Sequence, residues 1–225
     1  MRYVIDHEYL RPGRFVDSDA PAVREFAQRV AGAATDPVER ATLLFAAVRD
    51  EIWYDPFAIA TDPDAYRASA VATAERNWCV PKAVLLTAAA RAARIPARLG
   101  FADVRNHLNT ARLTERMNGV DLFVYHGYSD LYLDGRWVKA TPAFNAALCA
   151  RFGVAPLEFD GRTDALLHEF SGDGSRYMEY VADHGTFADL PLPEILAAFR
   201  RVYGDSIFGG DGHVGTDEFS APTRI

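Results

Sequence analysis

Two side chains in this sequence of 225 residues, Cys79 and His126, are of the types that together can activate a sulfur nucleophile. Pro81 follows Cys79 closely, and proline is tolerated only in the first turn of a helix. A helix is therefore predicted to begin near Cys79. Unpaired N–H groups and the positive end of the helix dipole meet at such a start, and both favour a thiolate over a thiol. The alternative is a small buried cysteine without chemistry.

The stretch from Asn77 to Arg98 predicts the helix that positions this cysteine. Its residues are apolar almost all the way round, and only a narrow polar stripe remains at helical spacing, formed by Thr87, Arg91 and Arg94. Pro96 disfavours helical geometry in the residue before it, so the helix is predicted to end by about Arg94. A helix with so little polar surface is typical of the middle of a domain.

His126 lies in the clearest predicted hairpin of the chain. The segments VDLFVYHGYSDLYL and RWVKATPAFN flank Asp134-Gly135, a pair typical of a two-residue type I′ turn. In the resulting register Asp130 faces Lys139, which predicts a cross-strand ion pair. His126 lies on the same face of the strand, so it is either a hydrogen-bonded structural histidine or a base for Cys79.

Four elements in this order resemble the transglutaminase-like superfamily: the helix with Cys79, the segment RAARIPAR, His126 on a strand, and LYLDGRWV around the turn. The resemblance covers about residues 35–145. It implies the α+β class, with a transglutaminase-like or papain-like core whose central buried cysteine helix packs on an antiparallel sheet. It also implies acyl transfer through a thioester, with Cys79 as nucleophile and His126 as general base and acid. Amide hydrolysis, peptidase action and transamidation all remain open.

Two positions depart from the family pattern. The third catalytic residue is usually an aspartate on the strand after the hairpin, and Thr141 occupies that position here. A threonine hydroxyl accepts a hydrogen bond from an imidazole but carries no charge. Asn145, which would give a Cys–His–Asn arrangement, is the alternative third member, since both residues lie diagonally from His126. The family usually has glycine where Asn77 stands, and we assign Asn77 and Trp78 to substrate binding, with Trp78 as a wall of the cleft.

Composition narrows the function classes further. With 49% hydrophobic residues, the chain can bury one core, so we predict a single domain over residues 1–225 with a C-terminal extension from about 146. The net charge of −7 argues against nucleic acid or an anionic membrane surface as a partner. The N-terminus has no apolar signal core, which predicts a cytoplasmic protein. The remaining histidines and carboxylates lack metal-ligand spacing, so no metal or cofactor is predicted.

The C-terminal part predicts a short hairpin over residues 176–181 and a helix from about Leu192 to Tyr203. The predicted substrate is a peptide, a protein side-chain amide, or a small amide or thioester. Two other functions stay open. One is a catalytically weak or inactive binding module with the same fold, for which Thr141 is the best argument. The other is an acyltransferase that acts on a carrier-bound thioester.

Overall fold

Seven helices and six strands make up the part of the chain that the computed structural model describes, residues 7–106, 110–167 and 178–208. The helices are α1 (Pro21–Ala31), α2 (Pro37–Glu51), α3 (Ala68–Val71), α4 (Cys79–Ala92), α5 (Ala111–Arg116), α6 (Ala146–Phe152) and α7 (Leu192–Tyr203). The strands are β1 (Trp53–Tyr54), β2 (Arg76–Asn77), β3 (Ala97–Asn106), β4 (Leu122–Leu133), β5 (Arg136–Ala140) and β6 (Met178–Phe187). Short 3₁₀ segments cover His7–Leu10, Pro63–Tyr66 and Asp205–Phe208.

Helix α4 is the buried centre of the fold, as predicted. Thirteen of its fourteen residues are buried, and it begins at Cys79 with Pro81 in the first turn. Even its polar stripe is mostly internal: Thr87 donates to the Ser129 hydroxyl at 2.9 Å, and Arg91 donates to three backbone carbonyls. These partners satisfy polar groups that would otherwise destabilise a core helix.

The sheet beside α4 has four antiparallel strands in the order β5-β4-β3-β6. The predicted hairpin register is confirmed over five residue pairs, from Leu133 opposite Arg136 to Ser129 opposite Ala140. Asp134 and Gly135 both have positive φ, as a type I′ turn requires. Helix α4 packs on this sheet and also contacts α1, α2 and α3, so the predicted α+β architecture is confirmed.

The structure corrects three details of the sequence prediction. Pairing of β4 with β5 ends at Ala140, and the N–H of Thr141 donates instead to the carbonyl of Ala165 at 2.8 Å. Asp130 faces Lys139 as predicted, but its carboxylate forms its salt bridge with Arg98 at 2.8 Å. Residues 178–181 of the predicted hairpin belong to β6, which pairs with β3, whereas residues 176 and 177 lie outside the described chain. Helix α7 has the predicted bounds.

Candidate active site

Cys79 is the first residue of α4, and only 5% of its surface is exposed. Trp78 before it is extended and offers no side-chain cap, so the first N–H groups of the helix keep no side-chain partner from this residue. The backbone N–H groups of Gly127, Val80 and Cys79 itself favour the charged form of the cysteine sulfur. Two of these donors come from the helix start and the third from strand β4.

The close approach of β4 to α4 brings the Gly127 donor to the sulfur. Because β5 ends at Ala140, the ladder leaves Gly127 without a strand partner on that side. A Cβ atom on Gly127 would lie only 3.0 Å from the Cα of Val80, so the two backbones would have to move apart by a few tenths of an ångström. Glycine therefore lets the strand backbone reach the first turn of the helix.

Cys79 and His126 line the same cleft, and Trp78 contributes to its wall. His126 is buried, with 5% of its surface exposed. The structure thus places in one cleft two of the three residues that the sequence analysis assigned to catalysis, together with one of the two assigned to substrate binding. Asn77 does not line the cleft, and its Oδ1 accepts a hydrogen bond from the N–H of Trp78 at 3.2 Å.

An irregularity in β4 lies directly before His126. The pairing of β3 with β4 shifts register between Ala102 and Val104, and Tyr125 has a positive φ of 55°. Such bulges re-aim side chains and are common beside active sites. The hydroxyl of Tyr203, on α7, accepts from the N–H of Val124 at 2.7 Å and donates to the carbonyl of Leu122 at 2.8 Å. Tyr203 therefore binds this irregular segment of β4 in addition to its pairing with β3.

Burial dominates the acidity of the cysteine. It raises the pKa of Cys79 to about 11, and the three N–H donors and Lys82 oppose this only in part. The lowered pKa expected from the helix start is therefore wrong for the unliganded protein, because removal of water disfavours the thiolate more than the dipole favours it. Burial also raises the pKa of Cys149 to about 11, and both cysteines are free thiols.

The two candidates for the third position differ in how their polar atoms are used. The Thr141 hydroxyl is buried and has no hydrogen-bond partner among the described residues, so it forms no hydrogen bond with the imidazole here. Asn145 accepts from the N–H of Tyr54 at 2.7 Å and donates to the carbonyls of Arg49 and Ile52. Its amide thus already has backbone partners, and neither candidate lines the cleft.

Lys82, which the sequence analysis left outside the site, is completely buried one turn after Cys79. Its amino group donates to the carbonyls of Arg49, Ile52 and Ala143 at 2.9, 2.6 and 2.7 Å. Three acceptors match the three protons of an ammonium group, while burial lowers the pKa of Lys82 well below its usual value. Lys82 ties the first turn of α4 to the end of α2 and to the segment after β5.

Other candidate ligands have structural partners. His184 pairs with Asp103 at 2.6 Å and stacks on the ring of Tyr125, while the Asp189 carboxylate accepts three backbone N–H groups from residues 14–16. Within the described ranges, no group of three His, Cys, Asp or Glu side chains could hold a metal ion. Over the same residues, no helix is both long enough and apolar enough to span a membrane.

The contribution of the C-terminal segment was missed from sequence. Phe199 and Tyr203 of α7, and Ile207 just after it, line the cleft with Cys79. The apolar face of α7 was visible as a pattern, but a pattern identifies no partner surface. Tyr203 lies 79 residues from the backbone group it binds, so no local signal links the two.

Two solved structures are similar to this chain, and the first of them supports the fold. The crystal structure of a candidate cysteine protease from Cytophaga hutchinsonii matches 86% of this chain with a TM-score of 0.50 and 18% identity. The chain spans about half of that protein, 48% of its length. A candidate protease from Parabacteroides distasonis matches 52% of this chain and 22% of its own, with a TM-score of 0.37 and 16% identity.

The family assignment comes from the sequence itself. No match was found among curated proteins. The model of the transglutaminase-like superfamily matches residues 24–142, more than half of the chain, and this range contains both Cys79 and His126. The chain belongs to the transglutaminase-like superfamily.

Proposed function

We propose that this protein is a thiol-dependent acyl-transfer enzyme that cleaves amide bonds of peptide or protein substrates through Cys79 and His126. The observation that supports it best is the shared cleft. Cys79, whose sulfur lies among the backbone N–H groups of the helix start and of Gly127, lines the same cleft as the buried His126. Nucleophile, base and N–H donors are the parts that acyl transfer requires.

In the proposed reaction His126 takes the proton of the Cys79 thiol as the sulfur attacks the substrate carbonyl. The carbon–sulfur bond forms, the carbonyl electrons move to oxygen, and the N–H groups at the helix start stabilise this oxyanion. When the intermediate collapses, the carbon–nitrogen bond breaks, and the amine leaves with the proton from His126. Water then attacks the thioester, His126 takes its proton, and the sulfur recovers that proton as the acid is released.

Because the pKa of Cys79 is raised, His126 must remove the thiol proton during the attack on the carbonyl in this scheme. With a pKa of about 11 the thiol is protonated at neutral pH, so the resting enzyme holds almost no thiolate at this position. Thr141 remains our proposed third member, since its buried hydroxyl has no other partner among the described residues and can accept from the imidazole. Asn145 ranks second, because moving its amide to His126 would strip the backbone groups that it now binds.

The test compares the alkylation of the two cysteines by iodoacetamide, followed by peptide mapping from pH 6 to 11. We expect Cys79 to react at neutral pH at least about 10-fold faster than Cys149, since proton removal by a positioned base accelerates such steps by ~10²–10⁴. His126→Ala should abolish this neutral reaction and leave only a rate that rises toward pH 11. His7→Ala, which removes an exposed histidine that does not line the cleft, is the control and should leave both alkylation rates unchanged.

A peptide library analysed by mass spectrometry then tests turnover. New termini that disappear in Cys79→Ala support the proposal, whereas equal alkylation of both cysteines at every pH contradicts the Cys–His pair.

One observation favours a second candidate, a binding module without turnover: the neutral Thr141 stands where the family usually has aspartate. That function predicts fast alkylation of Cys79 but no new termini and no acyl-enzyme after acid quenching.

A further inference from the structure

The wall of the cleft around Cys79 carries no charged side chain. Eleven of its thirteen lining residues are apolar or aromatic, and the other two are Cys79 and His126. The Tyr203 hydroxyl is engaged with the backbone of β4 through both of its hydrogen bonds. A charged group that entered this cleft would lose its hydration and meet no counter-ion among these residues, which is strongly unfavourable.

The space beside the thiol is also small. The cavity has a volume of about 30 Å³, room for about two water molecules, whereas an apolar cavity of about 150 Å³ binds a benzene ring. Packed interiors resist the insertion of even one additional methylene group. The cleft therefore restricts both the polarity and the size of what lies next to the sulfur.

We infer that the substrate presents an uncharged, small apolar group, between a methyl and an isopropyl in size, next to the carbonyl that Cys79 attacks. This inference rests on the proposed function and names the substrate class of the same site. It favours a peptide bond that follows an alanine-like or valine-like residue. A side-chain amide on a long polar stem would lose its hydration along this mainly apolar wall, where the buried Nε1–H of Trp78 has no partner among the described residues but could bind only one acceptor.

The C-terminal segment forms one side of the cleft and contributes to its size. The ring of Phe199 packs on Trp78 with centroids 5.4 Å apart and on Tyr203 at 5.3 Å. Ile207, which is 3% exposed, adds to the same wall. All three C-terminal residues lie beyond residues 24–142, which the superfamily model matches. Three of the thirteen lining residues, including Ile207, thus come from a part of the chain outside the range that the superfamily model matches.

The experiment uses the full chain and five acetyl-dipeptide vinyl sulfones that differ only in the side chain next to the electrophile: alanine, valine, phenylalanine, aspartate or lysine. Intact-mass kinetics give the rate constant for modification of Cys79. The alanine and valine probes should react fastest. The phenylalanine probe should react at least about 10-fold more slowly, which is the discrimination that a pocket achieves against one oversized group. The charged probes should react at least about 100-fold more slowly, because a buried charge loses its hydration.

A matched pair of variants tests the size of the cleft. Ile207→Ala removes part of the wall and should raise the rate of the phenylalanine probe relative to the alanine probe about 10-fold. Ile195→Ala removes the same atoms from a buried position on α7 that does not line the cleft, and should leave the ratio unchanged. If Ile207→Ala does not fold, Ile207→Val should shift the ratio in the same direction by a smaller factor.

The outcomes separate the inference from the proposed function. Equal rates for the five probes, or a preference for phenylalanine, aspartate or lysine, overturn the inference and leave the thiol mechanism standing. An unchanged ratio in the Ile207 variants also overturns it. If no probe modifies Cys79 in protein that iodoacetamide does alkylate there, the proposed acyl-transfer function itself fails.

Discussion

The two side chains that hold the start of the cysteine helix, Lys82 and Asn145, share their partners. Both donate to the carbonyls of Arg49 and Ile52 at the end of α2. Lys82 additionally binds the carbonyl of Ala143, and Asn145 additionally accepts the N–H of Tyr54. The carbonyls of Arg49 and Ile52 therefore have two donors each. Removal of either side chain leaves each carbonyl with one donor, whereas removal of both side chains leaves each carbonyl with none.

This sharing predicts a non-additive double-mutant cycle. Lys82→Met removes the donor to the carbonyl of Ala143, which Asn145 does not bind. Asn145→Leu removes the acceptor of the N–H of Tyr54. Each single change should therefore cost about 1–3 kcal/mol. For Lys82→Met the loss lies toward the lower end, because the cost of burying an ammonium group also disappears. The double variant leaves two further carbonyls unsatisfied, so its loss should exceed the sum by at least about 1 kcal/mol.

Equilibrium urea unfolding of the four proteins measures this coupling. The chain has only one other lysine, Lys139, whose amino group lies 5.2 Å from the centre of the Tyr128 ring. Lys139→Met is the control and should cost less than about 1 kcal/mol, the value of an accessible cation–π contact. Losses that add to within about 0.5 kcal/mol would refute the reasoning, because independent sites are additive at that level.

Two further changes test the positions of the sulfur and of His126. Gly127→Ala places a methyl group 3.0 Å from the Cα of Val80, so strand and helix must separate; we expect a loss of about 1–3 kcal/mol in thermal unfolding and slower neutral alkylation of Cys79, and unchanged values would contradict the close approach. Tyr203→Phe removes the hydroxyl that bridges two backbone groups of β4, so alkylation at neutral pH should fall while alkylation at pH 11, which does not need His126, should stay constant. An equal relative change at both pH values, in either direction, would contradict a role of Tyr203 in positioning His126.

The elements that were predictable from sequence are those with a local cause. Pro81 marks the start of α4, and Asp134-Gly135 determines the turn that places Leu133 opposite Arg136. Of the residues that line the cleft, the sequence therefore predicted those that these elements carry, namely Cys79 at the helix start and His126 on its strand. The register could not be extended to Thr141, because Pro142 donates no ladder bond and the chain turns toward residue 165.

What could not be predicted depends on balances between distant groups. The helix start favours a thiolate at Cys79, but the degree of burial decides the outcome, and burial follows from the packing of the whole domain. Lys82 reads from sequence as a polar residue in a first turn. Its complete burial becomes stable only because three carbonyls from α2 and from the segment after β5 meet at its amino group.

The same burial that keeps the thiol protonated has a consequence for the proposed reaction. In a dry cleft the N–H dipoles of Cys79, Val80 and Gly127 act at low effective dielectric, so their attraction for a developing negative charge is larger than in water. In the resting protein that charge would lie on sulfur without a substrate to pass it to, and desolvation prevents it. During attack, the charge would move from sulfur to the carbonyl oxygen as His126 takes the proton. An apolar substrate group that fills the cleft would complete the exclusion of water, so substrate fit and thiol activation would depend on the same side chains.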